Sequence, residues 1–406
     1  MSALGRTDRI VLWAVAVATV LAAVAHYGHW GSVLAFGLAT ASIAGLAHVV
    51  SVGVEQVGER LGPGIAGLLQ ATLGNLPELF LVIFALRAGE SIVAQNTVIG
   101  SIFSNALLVL GIVILVGCRR SGDSVMRFHP RLANDTATLL NVTVFIIVLV
   151  GLSLNTHDPA AAHVKTVSMI AAIGLLVVYC AWVVPFVRSD FAAAAEQRDA
   201  AADGDPWPRA EAVTRPQRDA PGGGAVATAE RVEVATVGPA ASNGGTQEAG
   251  QRDARVPLAI SIALLAFGGV GAAFASDWFI AALAPTVDSV GISRGFAGLV
   301  IAAIAGNAVE NITAVILAAK GQANLAVSVV KSSVGQMAAF MWPALVLVSL
   351  GFAHQLTFAL HPVYIGALLV TALAMWQITG DGEALPFEGL ALIAAYLVLA
   401  GITLYE

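Results

Sequence analysis

The chain reads as an all-α integral membrane protein of about eleven transmembrane helices, with a core of two inverted five-helix repeats. Three observations predict this. Of 406 residues, 58% are hydrophobic and only 11% charged, against about 25% charged in a soluble domain. The apolar residues fall in runs long enough to cross a bilayer, which takes about 20 residues of helix. One short pattern, Gly-Asn-x-x-Glu, also occurs twice, as Gly74-Asn75-Leu76-Pro77-Glu78 and as Gly306-Asn307-Ala308-Val309-Glu310. Each copy puts a carboxylate deep in an apolar run, an expensive placement that marks a functional site.

The runs place spans near 10–26, 32–54, 63–86, 92–117, 133–153, 165–187, 257–282, 295–319, 324–350, 362–379 and 389–405. Residues 1–31 hold an extra helix ahead of the repeats. That helix ends in Ala23-Val24-Ala25, which is also the small-residue pattern of a cleaved signal. Residues 32–187 make the first five-helix repeat and 257–406 the second. Between them, 188–256 is polar and rich in Ala, Gly and Pro. Pro216, Pro221 and Gly222-Gly223-Gly224 argue against a continuous helix there. Its few aromatics give it no core, so a flexible cytoplasmic linker is expected, with a cation-sensing segment as the alternative.

Orientation follows from basic residues in short loops. Arg119, Arg120, Arg127 and Arg131 crowd the 118–132 loop against Asp123, whereas 154–164 carries His157, Asp158 and His163 but no Arg or Lys. The 118–132 loop, and with it the N-terminus, is therefore expected in the cytoplasm, with Glu406 outside. The expected location is a prokaryotic plasma membrane. Two cysteines, Cys118 at a membrane edge and Cys180 inside a span, imply neither a disulfide framework nor a thiolate metal site.

Both motifs share one offset (307 − 75 = 310 − 78 = 232). It also aligns Gly89 with Gly321, Ala94 with Ala326, Ser101 with Ser333 and Ala106 with Ala338. The third and eighth spans lie an odd number of spans apart, so the repeats are inverted, an arrangement that places binding near the midplane. Asn75 and Glu78 fall roughly 18 to 23 Å along their helix, near the bilayer centre. Gly74, Pro77 and Gly306 make local distortion plausible, and freed carbonyls there can face a cation.

The chemistry comes from spacing. Asn75/Glu78, Asn307/Glu310, Ser101/Ser104 and Ser333/Gln336 each stand three apart, on one helix face. Convergence of the four would gather two carboxylates, amide oxygens and hydroxyls. Such hard donors suit Ca²⁺, and the lack of His or Cys disfavours Zn²⁺ or Cu⁺. With no cation present, two facing buried carboxylates favour proton uptake, so protons and Ca²⁺ would compete. The bland alternatives are a buried pair that only fixes the fold, and helix–helix contacts for Ser104 and Asn105 taken singly. Lys331 is close enough to the cytoplasmic end to snorkel, or would stand as a tethered cation near the site.

On these residues the chain resembles the proton/calcium exchanger (CAX) family of the cation/calcium exchanger superfamily. The stretch Gly67 to Leu79, continuing into Gly100-Ser101-Ile102-Phe103-Ser104-Asn105, looks like the first signature repeat; Gly306 to Asn311 followed by Ser332 to Phe340 looks like the second. The resemblance implies calcium and proton binding at Glu78 and Glu310, and it matches Ser101, Ser104 and Gln336 to family positions. Gly-Asn opens both motifs, as in the proton-coupled branch. Asn311 departs from the family's usual His, Lys331 and Ser332 from its small residues, and Pro77 is similar to the sodium-coupled pattern. The implied function is secondary active Ca²⁺/H⁺ antiport by alternating access, exporting cytoplasmic calcium. Na⁺/Ca²⁺ exchange and Mn²⁺ or Cd²⁺ transport are the alternatives, and a passive cation channel is a further class. No Gly-Lys-Ser/Thr loop supports ATP-driven pumping, and no Gly-x-Gly-Asp motif supports a membrane protease. No enzyme activity, cofactor or nucleic-acid partner is implied. The lipid bilayer and the transported Ca²⁺ and H⁺ are the expected partners, and a homo-oligomer is left open.

Overall fold

The computed structural model describes residues 6–61, 73–122, 124–156, 158–202 and 258–406. The first half supplies α1 (Arg6–Tyr27), α2 (Ser32–Leu61), α3 (Leu76–Arg87), α4 (Ser91–Ser121), α5 (Pro130–Asn155) and α6 (Val164–Ala202). The second supplies α7 (Leu258–Val290), α8 (Arg294–Gly306), α9 (Ala308–Ala319), α10 (Ala323–Ser349), α11 (Pro362–Gly380) and α12 (Pro386–Leu404). Among the described residues nine helices are long and apolar enough to cross a membrane; α8 with α9, bent by 61°, makes a tenth. The expected third span, 63–86, falls partly outside the described residues, and α3 is its described part. Exposed side chains such as Phe145, Val177, Val370 and Val398 cover the flanks, the surface a bilayer solvates.

One expectation needs correction. The helix expected to end near 187 continues as α6 to Ala202, so the linker boundary at 188 falls inside a helix. Phe191 to Ala202 holds seven alanines, which favour helix, around the polar run Glu196-Gln197-Arg198-Asp199, which ends the apolar pattern. The rest of the expected linker lies outside the described residues. The 118–132 and 381–385 loops also form a two-stranded antiparallel sheet, β1 (Met126–Arg127) with β2 (Glu383–Ala384). Strands of two residues carry no periodic signal in a sequence.

Contacts sort the loops into two groups. At one end Arg294 pairs with Glu90 at 3.0 Å, the Ser293 hydroxyl donates to the Thr403 carbonyl, and the Tyr364 hydroxyl donates to Glu406. At the other, β1 meets β2, and Asn324 Oδ1 accepts from the His129 backbone N–H at 2.7 Å. The arginine-rich loop belongs to the second end.

Helix packing relies on small residues, as membrane helices generally do. The most extensive contact joins α2 to α7. The closest approach described for α4 and α12 is at Gly111 and Gly389. A Cβ at Gly111 would lie 2.6 Å from the Gly389 carbonyl oxygen, and one at Gly389 would lie 2.7 Å from that of Gly111.

Local geometry repeats at the 232-residue offset. The offset carries the bounds of α3 onto those of α9 and the start of α4 onto that of α10. Gly89 and Gly321 both turn with positive φ, +81° and +78°. Both long helices then widen into a π turn, Ser104–Val109 in α4 and Met337–Met341 in α10.

Gly389→Val is expected to force α4 and α12 apart and to cost about 1–3 kcal/mol, as overpacking does. Thermal unfolding of the detergent-solubilised protein measures this, and an unchanged midpoint would show that the crossing is loose.

Candidate cation site

Both motif helices begin at a break. Gly74 and Asn75 form a turn ahead of α3, and Asn307 interrupts the chain between α8 and α9. The two asparagines share one backbone conformation, φ −93° and ψ 12° at Asn75 against φ −99° and ψ 12° at Asn307. Pro77 fits the first turn of α3 because its missing N–H would have had no helical partner. Glu78 and Glu310 therefore occupy the first turns of the helices that follow these breaks. Free N–H groups and the helix dipole favour a carboxylate at such a position.

Glu78 is completely buried. One oxygen accepts from the Ser101 hydroxyl, and the other from Asn307 Nδ2 at 3.2 Å. Asn307 Nδ2 also lies 2.9 Å from Ser101 Oγ and 3.0 Å from the Ala303 carbonyl. Gly306 allows this close docking, since a Cβ there would sit 3.3 Å from Glu78 Cβ. Glu310 is half-buried and accepts from the Ser333 hydroxyl. Asn105 Nδ2 in turn donates to Ser333 Oγ at 2.9 Å, tying α4 to α10. The cluster thus gathers Glu78, Ser101, Asn105, Asn307, Glu310 and Ser333 from α3, α4, α9, α10 and the break before α9.

The remaining expected residues sort differently. Asn75 is buried at the N-cap position of α3 and Gly74 is half-buried in the turn before it. Ser104 makes a long bond, 3.4 Å, to the Ser101 carbonyl of its own helix. Gln336 donates to Ser332 Oγ one turn back at 3.1 Å. Neither bond reaches a glutamate, although both residues border the π turns. Lys331 neither snorkels nor stands by the carboxylates: it is buried, and its Nζ bonds Thr379 Oγ1 of α11. Two positions along a helix turn a side chain by about 200°, so Lys331 points away from Ser333.

Two oxygens were not anticipated. Asn307 Oδ1 and Asn311 Oδ1 are buried without a hydrogen-bond partner among the described residues. They stand one turn apart on the face that carries Glu310, and each leaves lone pairs for a cation. Asn311 stood out in the sequence only as a departure from a motif. Asn105, read singly as a helix contact, is one turn from Ser101, and that spacing was the available signal.

The sequence model of the sodium/calcium exchanger protein family matches residues 31–188 and 260–405. The chain belongs to this family. Similar proteins include a Ca(2+)/H(+) antiporter of Synechocystis, 29% identical over 93% of this chain and 92% of that one. The Ca(2+)/H(+) antiporter ChaA of Bacillus subtilis is 25% identical over 97% of this chain and 98% of its own length. Among solved structures, native YfkE superposes with a TM-score of 0.71 at 22% identity, covering 98% of this chain and all of that one. The H+/Ca2+ exchanger CAX follows with a TM-score of 0.61 at 16% identity, over 98% of this chain and 93% of that one. These two likenesses establish the exchanger fold.

Asn307→Ala would leave Glu78 and Ser101 without a shared donor, at a cost of about 1–3 kcal/mol for the unmet buried groups. Chemical or thermal unfolding without added calcium would show the loss, and unaltered stability would mean that Asn307 does not hold the cluster together.

Proposed function

We propose that the protein is a secondary active antiporter that exports cytoplasmic Ca²⁺ in exchange for protons. One observation carries this reading: two carboxylates, each in the first turn of its own helix, meet in a single cluster of hydroxyls and amides. The antiporter relatives match the chain over nearly its full length, which supports the choice of ions.

The proposed chemistry is competition. Calcium takes six to eight oxygens in flexible geometry, and this cluster offers carboxylate, amide and hydroxyl oxygens. Two carboxylates neutralise the ion. When it leaves, charges facing one another in a low-dielectric setting draw protons from whichever side is open. Ser101 and Ser333 then serve as donors to the glutamates, as they do in the structure.

Alternating access follows from the repeat. With the arginine-rich end in the cytoplasm, α3 runs from its break to the outer surface and α9 from its break to the inner one. The constant 232-residue offset supports two inverted halves. The Glu90–Arg294 pair then bridges the halves on the outer face. Sodium coupling remains the second reading, favoured by Pro77.

Glu78→Gln and Glu310→Gln should each abolish exchange while leaving the fold intact, because Gln keeps shape but loses charge and proton. Calcium flux into vesicles under an imposed pH gradient is the measurement; robust proton-driven uptake by either variant removes that residue from the site.

Lowering the pH should raise the apparent calcium Kd without changing the number of sites. If two protons must leave before calcium binds, affinity falls by up to ~100-fold per pH unit on the acidic side, by mass action. Equilibrium calcium binding across a pH series, with and without sodium, decides the point. A Kd that ignores pH but responds to sodium would establish sodium coupling instead.

A further inference from the structure

Away from the carboxylate cluster, α3 and α7 leave a groove of about 590 Å³ between them, within the usual size of ligand clefts. Phe80 and Phe84 line it from α3, and Val270 and Phe274 from α7. Gly269 keeps it deep. Val270 and Phe274 are 59% and 53% exposed, so the groove opens sideways, toward lipid rather than toward the transport path.

Its polar end is not random in depth or in charge. Arg87 closes α3 beside the outer loop, and Asp277 stands across the groove on α7. Trp278, next to Asp277, stacks on His26 at 6.1 Å and meets Tyr27 edge-on at 6.2 Å. His26 and Tyr27 end α1, and such aromatic clusters mark the membrane–water interface. The rim therefore lies at headgroup level while the phenylalanine walls run down into the acyl region. Arg87 and Asp277 are both exposed, and neither makes an ion pair among the described residues.

We propose that this groove binds one phospholipid whose zwitterionic headgroup carries a primary amine. The guanidinium of Arg87 takes the phosphate, for which its planar fork of donors is suited. The carboxylate of Asp277 accepts a charge-assisted hydrogen bond from the ammonium. One acyl chain lies against Phe80, Phe84, Val270 and Phe274. An anionic headgroup without an amine leaves Asp277 with no ammonium to pair, and a quaternary amine has no N–H to donate. The bound lipid would brace α3, whose first turn holds Glu78, against α7. The inference does not depend on which ions are exchanged.

Native mass spectrometry of the purified full chain tests it, with phosphatidylethanolamine and phosphatidylcholine of identical acyl chains as probes. The wild-type protein should retain the ethanolamine lipid over the choline lipid by about tenfold, the worth of one charge-assisted hydrogen bond. Asp277→Asn should erase that preference, and Arg87→Gln should lower retention of both lipids. Both positions are exposed, so neither change threatens folding; Ala266→Trp, which fills the groove, should exclude both lipids in a variant that still elutes as folded protein. Equal retention of the two lipids by the wild type, retention unaffected by the rim variants, or a preference for phosphatidylglycerol over phosphatidylethanolamine would each overturn the proposal.

Discussion

A fully buried carboxylate must find all its partners inside the protein, and the demand made by Glu78 shapes what surrounds it. Water is not available to its oxygens, and a buried carboxyl group without hydrogen-bond partners is costly in either protonation state. Ser101 and Asn307 meet that demand from two other helices. Gly306 eases the approach of Asn307, since a Cβ there would sit 3.3 Å from that of Glu78 and push it aside by a few tenths of an ångström. To aim the Asn307 side chain across the gap, α8 must stop and α9 restart at 61°. The broken helix, the glycine and the asparagine are one solution to one electrostatic problem.

The two carboxylates are alike in sequence and unlike in surroundings. Each accepts from the serine that follows it at the same spacing. Beyond that bond the halves diverge. Glu78 is sealed by the Asn307 amide, whereas Glu310 keeps some exposure. Asn105 reaches across to Ser333, but its counterpart at the 232-residue offset is Met337, which has no such donor.

What was legible in the sequence is what hydropathy and repetition encode. Apolar runs gave nearly every described span, and a doubled motif with a constant offset pointed to the two glutamates and their serines. Neither signal carries side-chain direction. Lys331 lies two positions from Ser333, and only the turn of the helix sends it to Thr379 instead. Ser104 and Gln336 have the spacing of site residues but bond within their own helices. The extension of α6 to Ala202 was hidden because the polar run Glu196-Gln197-Arg198-Asp199 ends the apolar pattern while the flanking alanines still favour helix. Asn105 and Asn311 were visible as letters, yet their roles depend on which helices meet, and that is a property of the assembled bundle.

The choice of serine and asparagine also bears on how a closed cluster gives way to a bound cation. A hydroxyl donates one hydrogen and still offers lone pairs; a carboxamide holds donors at one end and an acceptor at the other. In the structure Asn307 turns its Nδ2 toward Glu78 and Ser101, leaving Oδ1 buried and unmatched among the described residues. Rotating that amide by half a turn would exchange donor for acceptor without moving the backbone. Under the proposed exchange, the same residue would serve the carboxylate when no cation is present and the cation when it is. Lysine or arginine could neutralise Glu78 more strongly, but neither has an acceptor to offer the metal, and either would compete with it permanently. Polar neutral side chains that reverse their role keep both states satisfied, and an exchanger needs both to be reachable from one another.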